Sequence, residues 1–486
     1  MTTSSASAGG PVVPENAPPV DGLDRGHLSR NQLVALALAS YVPPVGLASV
    51  PALVLVTAGN GSWLGALIAA VATSLVGLSV ITFARRYVVT GSLYSYIPLV
   101  FGPWARILVG ATLFLGYVAQ VGAIAFLVGL FAGSFLLSLG FEASFDVGVQ
   151  MLIHSAAVLI AGTIAYRGLD TSVSTAVTLA VVSVPLMLVI TVAAAASAGL
   201  DLGTQLSLEG ATPSGIFQGV AAGAVFLVGF ESSTALAAET RDARRSVPLA
   251  VMCVPVGLGA LYVVATLLQV PALVAASDAL ATGTSPAAAL AMEGGLGSTV
   301  AGATDLVLAV ATFAALIGFV NYGSRFVATL AADGLLPAGA GRIHPRHHSP
   351  AAAVATICVL GLGAILVMVA LNPDDIVGVY NSVATLIVYF WVIPYLLICA
   401  GALRLLRREG RLGPLVVIGA VLGAAAMAWM YLNGIVNPPA SPLDAMSYVA
   451  VMAVAVVFVA FLAVDRLGHP VVPPITRPTT EKEVQQ

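Results

Sequence analysis

Residues 35–55 read ALALASYVPPVGLASVPALVL, an apolar helix with adjacent prolines, Pro43 and Pro44, at its middle and Gly46 just beyond. Proline lacks the N–H that a helix needs and clashes with the preceding turn, so a break is expected there. Non-helical backbone at membrane depth survives only where it is buried in protein or lines a wet cavity, which makes this segment a candidate binding-site wall. The alternative is a proline kink packed against a neighbouring helix. A second stretch, GIFQGVAAGAVFLVGFESSTALAAE at 215–239, is interrupted near its middle by Gly229, Glu231, Ser232 and Ser233. A charge at the bilayer centre costs about 3 kcal/mol, so Glu231 must face the interior. It could bind a substrate amine there, relay protons, or hydrogen-bond a neighbouring helix for structure alone.

The rest of the chain supports a membrane reading. Of 486 residues, 59% are hydrophobic and 8% charged, against about 25% charged in an average soluble domain. Runs of the roughly 20 apolar residues that cross a bilayer recur along nearly the whole length. They fall near 31–56, 62–84, 104–139, 147–166, 172–199, 215–238, 247–271, 300–332, 350–371, 377–405, 412–433 and 443–465. The stretch from Gly91 to Gly102 is mixed in character and is expected at the interface. The fold class is therefore all-α integral membrane, with about 12 transmembrane helices.

Charge tests this parse. With twelve spans, all 19 Lys and Arg residues fall on one face: Arg25 and Arg30, Arg85, Arg86 and Arg106, Arg167, Arg241, Arg244 and Arg245, then Arg325, Arg342 and Arg346, then Arg404, Arg407, Arg408 and Arg411, and finally Arg466, Arg477 and Lys482. The loops of the other face carry acids such as Glu142, Asp201, Glu209, Asp278 and Asp374, but no base. The positive-inside rule then places both termini in the cytoplasm of a multi-pass cell-membrane protein. The Pro- and Ser-rich ends, 1–29 and 468–486, read as disordered cytoplasmic tails. The expected organisation between them is a first five-helix repeat over 30–199, a second, inverted repeat over 200–405, and two additional helices over 406–467. The inversion follows from position: the interrupted spans, first and sixth, are five apart, so the second set of five starts on the opposite face. Such repeats place substrate at the midplane, where half-helix ends offer free N–H and C=O groups.

Other chemistries find little support. The dispersed bases make no nucleic-acid stripe. Nothing resembles a nucleotide cradle or an activated nucleophile, so neither an enzyme nor a primary pump is expected. Cys253, Cys358 and Cys399 lie in apolar segments without metal-ligand spacing and read as buried thiols. His154 reads as a helix-packing residue, and His344, His347 and His348 as hydrated loop residues. No metal site or cofactor is expected.

Three stretches carry a resemblance. FARRYVVTGSLYSYIPLVFGP (83–103), GFESSTALAAETRDARRSVPLA (229–250) and SRFVATLAADGLLPAGAGRIHPRHHSPAAA (324–353) resemble, in order and spacing, motifs of the amino acid/polyamine/organocation transporter superfamily. The resemblance spans about residues 31–405. It implies the LeuT-like 5+5 inverted repeat with two extra C-terminal helices, and secondary active transport of an amino acid or related small amine by alternating access, proton-coupled or exchanging. Polyamines or organic cations are the alternative cargo. A transport-like nutrient receptor is an alternative function, and a channel would require a continuous polar pore.

The implied substrate wall comprises Pro44, Val45, Gly46 and Leu47 from the first span and Phe226, Gly229, Phe230 and Glu231 from the sixth, with Tyr117, Gln120 and Asn321 facing them. One departure bears on the cargo. Members of the superfamily commonly carry Gly-x-Gly in the broken first span, a nest of N–H groups for a carboxylate; here Pro44 stands at the first glycine and Gly46 at the second, leaving Val45, Gly46 and Leu47 as donors. Span five, AVTLAVVSVPLMLVITVAAAAS (176–197), has Ser183 near the place where some members carry a lysine, so neither a fixed ammonium nor a sodium site is implied. On the cytoplasmic face Glu239 and Asp242 lie among Arg241, Arg244 and Arg245, with Arg85 and Arg86 nearby. Arg85, Arg86, Glu239 and Arg245 are candidate gating residues, the alternative being arginines that only set topology. The expected partners are a small-molecule substrate, the lipid bilayer and protons; oligomeric state is left open.

Overall fold

The computed structural model describes residues 23, 26–281, 284–372, 375–438 and 441–468. Most of both predicted tails, with Arg25, Asp374, Arg477 and Lys482, therefore lies outside the described residues. The described chain is helical throughout, with no strand beyond a single bridge between Leu28 and Thr240.

Ten helical stretches are long and apolar enough to cross a membrane. One of them, Arg30–Ala84, contains two crossings: α1 (Arg30–Ser40) with α2 (Pro43–Ala58), and then α3 (Ser62–Ala84) after a short turn. A further crossing is built from a twelve-residue helix followed by a ten-residue 3-10 helix, about 18 Å and about 20 Å long respectively. With these two additions the count reaches twelve. After α3 come two short helices, α4 (Leu93–Tyr96) and α5 (Pro98–Phe101), then α6 (Pro103–Ser138), α7 (Val147–Tyr166), α8 (Leu169–Ala198) and a loop helix, α9 (Leu202–Ser207). Span six follows as α10 (Pro213–Ala224) and the 3-10 helix Phe230–Glu239. Span seven joins α11 (Ala243–Met252) to α12 (Gly259–Ala275) through a π turn. Two loop helices, α13 (Ser277–Ala281) and α14 (Pro286–Glu293), lead to α15 (Ser298–Ala332), α16 (Ala351–Leu371), α17 (Ile376–Arg408), α18 (Pro414–Val436) and α19 (Met446–Gly468), which are spans eight to twelve.

Burial orders these helices from centre to rim. The most apolar window of α15 is 72% buried and that of α6 61%, whereas the windows of α18 and α19 are 28% and 22% buried. The last two helices therefore sit at the periphery with lipid-facing sides. Without a hydrophobic drive between helices in lipid, close approach depends on small residues. A Cβ on Gly122 would lie 2.8 Å from the carbonyl of Gly361, so α6 and α16 touch backbone to backbone there.

Within the stretch 91–102, Leu93, Tyr94, Tyr96 and Val100 of α4 and α5 are buried against the rest of the protein. The last residues of the predicted N-terminal tail are also engaged. Gly26 N–H donates to the Ala238 carbonyl (3.3 Å) and Leu28 N–H to that of Glu239 (2.8 Å), while Arg241 N–H donates back to Leu28 (2.8 Å). His27 meets Asp170 at 2.6 Å.

Candidate substrate site

The two interrupted spans are built differently. In span one, α1 ends at Ser40, and Val42 takes a left-handed conformation (φ 45°, ψ 64°). Pro43 and Pro44 then begin α2. The break thus precedes the prolines rather than falling on them, for two reasons. Proline's fixed φ suits the first turn of a helix, where its missing N–H is not needed, and proline forces the residue before it out of the helical region. Two of the three donors expected to remain for a carboxylate, Val45 and Gly46, are taken. Pro43 and Pro44 have no N–H, and those of Val45 and Gly46 both donate to the Val42 carbonyl (2.9 and 3.0 Å). Gly46 itself packs against the Tyr262 ring of α12.

In span six the turn is at Gly229 (φ 81°), a left-handed conformation that suits glycine. Its N–H donates to the Tyr395 hydroxyl at 2.6 Å. The Glu231 carboxylate, in the first turn of the 3-10 helix, is completely buried. It accepts from Trp391 Nε1–H at 2.7 Å and from the Tyr395 hydroxyl at 2.8 Å. Both donors come from α17, so Glu231 ties span six to span ten.

Between the two breaks lies a small cavity. Its wall is formed by Ser40, Tyr41 and Val42 of span one and by Val225 and Phe226 of span six. Gln120, Ala123, Ile124 and Leu127 of α6, Thr312 and Phe319 of α15, and Tyr380, Ala384 and Ile387 of α17 complete it. Of the expected substrate residues, Gln120 and Phe226 line this cavity. Pro44, Val45, Gly46 and Leu47 are buried within α2, and Phe230 and Glu231 pack toward α17. Gly229 lies beside the Tyr41 hydroxyl and the Trp391 ring. Tyr117 donates to Ser232 Oγ at 2.9 Å, and Asn321 accepts from Arg325 at 2.9 Å; neither lines the cavity. Sequence reading missed Tyr41, Phe319 and Tyr380. The residue in front of Pro-Pro was a usable signal for Tyr41; the other two are apolar helix residues like dozens of others.

Toward the end of the bundle that holds Arg30, a buried polar seam separates the cavity from the surface. Arg325 of α15 and Glu239 of span six, 1% and 2% exposed, form a two-pronged ion pair at 3.0 and 3.2 Å. Thr234 donates to Ser92 Oγ (3.3 Å), Thr90 and Thr329 share a bond (3.3 Å), and Tyr94 donates to Asp333 (2.6 Å). Every one of these pairs joins two of the three motif stretches. The candidate gate is corrected accordingly. Glu239 does not meet Arg85, Arg86 or Arg245. Arg86 forms a two-pronged pair with Glu409 (2.8 and 2.6 Å), Arg245 sits 3.8 Å from Asp242 at the surface, and Arg85 is exposed, with no ion pair among the described residues. The Arg86 guanidinium holds the Glu409 carboxyl below its ordinary range.

Comparison with known proteins follows the same outline. A family model described as amino acid permease matches residues 28–464. An uncharacterized transporter of Mycobacterium bovis is 26% identical over 422 residues, covering 86% of this chain and 88% of its own. A branched-chain amino acid permease of Lactococcus lactis is 25% identical over 380 residues, covering 73% and 76%. One from Bacillus subtilis is 23% identical over 304 residues, covering 61% and 65%.

Proposed function

The chain belongs to the amino acid permease family, and from that premise we propose that it is a secondary transporter that carries an amino acid or related small amine by alternating access. It is a multi-pass membrane protein, and the one-sided Lys and Arg distribution supports an orientation with both termini in the cytoplasm. The observation that carries the reading is the cavity at the crossing of the two interrupted helices, with a buried polar seam on one side of it. A carrier must expose a midplane site to the two faces in turn, and this arrangement supplies both a site and a closure. In this conformation the seam built around Glu239 and Arg325 closes the cytoplasmic side. Transport is proton-coupled or exchanging. The names of the Lactococcus and Bacillus relatives add support for an amino-acid-like cargo.

The test is uptake of radiolabelled amino acids, amines and polyamines into proteoliposomes under imposed proton and sodium gradients. Accumulation of one class, with counterflow exchange, supports the carrier. Tight binding with neither uptake nor exchange would make the protein a receptor. Orientation is checked by labelling with an impermeant thiol reagent: a cysteine at position 209 should react from outside and one at 408 only from inside.

A further inference from the structure

The two half-helices that end at the cavity do so with the same pole. α1 runs from Arg30 and α10 from Pro213, from opposite faces of the bundle, and the residues at their C-terminal ends, Ser40 to Val42 and Val225 to Phe226, form the wall. A helix C-terminus carries about half a negative charge and favours cations; here the end carbonyls of Leu38, Ala39, Val42 and Ala224 also accept backbone N–H groups. The positive poles that could balance this are partly closed. At α2 two prolines and the Val42 carbonyl leave no free N–H over the first four positions. At the 3-10 helix the Gly229 N–H is taken by Tyr395, and the Glu231 carboxylate sits in the first turn.

The wall itself contains no Asp, Glu, Lys, Arg or His. It does contain two buried polar atoms: Gln120 Oε1, which has no partner, and the Tyr41 hydroxyl, which lies beside Gly229 and within reach of Ser232, on side chains 8% and 5% exposed. Both can accept a hydrogen bond. The remaining wall is apolar and aromatic, with Phe226, Phe319 and Tyr380 presenting rings that attract a cation as well as an alkyl group.

Resting on the transporter reading above, we propose that the cargo is a monoamine with an apolar tail and no carboxylate: an alkyl- or arylalkyl-ammonium ion. Its ammonium hydrogens meet the acceptors of Gln120 and Tyr41 at the negative ends of α1 and α10. A carboxylate in the same cavity would face two negative helix ends, with no cationic side chain in the wall and only the Gln120 amide to donate an N–H to it.

Two matched series test this with purified full-length protein: 3-methylbutylamine, leucine and 4-methylpentanoate, and 2-phenylethylamine, phenylalanine and 3-phenylpropanoate. Each series holds the tail constant in kind and varies the charged groups. The amine of at least one series is expected to bind at least about tenfold more tightly than the amino acid, the acid not to bind, and the same amine to enter proteoliposomes. Gln120→Leu should weaken amine binding about tenfold while the protein keeps its melting temperature. Should that variant fail to fold, Tyr41→Phe provides the same reading. An amino acid that binds as tightly as its amine, or an amine that binds equally well to both variants, overturns the inference and leaves the transporter standing. Amine binding without uptake or exchange supports the cavity chemistry and overturns transport. Binding by no member of either series overturns the inference, and the wider uptake screen then judges the transporter separately.

Discussion

The two helix breaks differ in what maintains them. Span one is interrupted within its own sequence: Pro43 and Pro44 leave two successive positions without an N–H and open α2, with Val42 left-handed in front of them. Span six has no proline between 214 and 247, and its break depends on a glycine turn with hydrogen bonds to another helix: Trp391 and Tyr395 donate to Glu231, and the Gly229 N–H donates to Tyr395. A local break survives almost any change around it. A tertiary break can be undone 160 residues away.

The largest expected effects follow from that dependence. Arg325→Met leaves Glu239 charged and buried with no partner, which should cost about 3–5 kcal/mol, read as a fall in melting temperature in detergent. Adding Glu239→Leu should restore most of the loss; if the double variant is less stable than the single, the ion pair is not what anchors the far end of span six. Next in size, Glu231→Gln keeps one acceptor for two donors and should cost about 1–3 kcal/mol. Binding, exchange and gradient-driven uptake on this variant separate its three possible roles. A buttress lowers stability without selective effect, a proton relay loses accumulation but keeps exchange, and a substrate anchor loses binding itself.

Smaller effects are expected at span one. Val42→Gly relieves a strained left-handed valine but loosens the unfolded chain and deletes a buried side chain, so the opposing terms should leave a net change within about 1 kcal/mol of zero. A loss larger than that would mean that the valine side chain, rather than the prolines, holds the break. Smallest of all, Arg86→Gln removes a partly exposed pair with Glu409 and should change stability by no more than about 1 kcal/mol. Because Arg86 holds the Glu409 carboxyl below its ordinary range, its contribution is present above that range and is lost as pH falls through the lowered value. The difference in melting temperature between wild type and variant should accordingly shrink below about pH 4.

The same contrast explains what could be read in the sequence. The twelve crossings and the two interruptions were legible because hydropathy, proline and charge act locally. The misplacement of the first break was avoidable: proline's preference for the first helical turn puts the bend at Tyr41 and Val42, and with them the cavity wall. Arg325 was read as a topology-setting arginine at the end of span eight, although Asn321 lies one turn before it on the same helix face, a spacing that brings side chains together. Trp391, Tyr395 and the Glu239 pairing gave no such sign. They meet across long sequence separations, and nothing in an apolar helix marks which tryptophan or tyrosine turns inward.

The bonds from Gly26 and Leu28 to Ala238, Glu239 and Arg241 have a mechanical meaning. They fasten the end of α1 farthest from the cavity to the end of the 3-10 helix farthest from it, so the two segments would turn together about Tyr41–Val42. The eleven residues of α1 make an arm of about 16 Å. A swing of about 20° at that point would move its far end by about 6 Å, roughly one helical turn. A tilt of α1 about that point would therefore be shared by the end of the 3-10 helix where Glu239 holds Arg325.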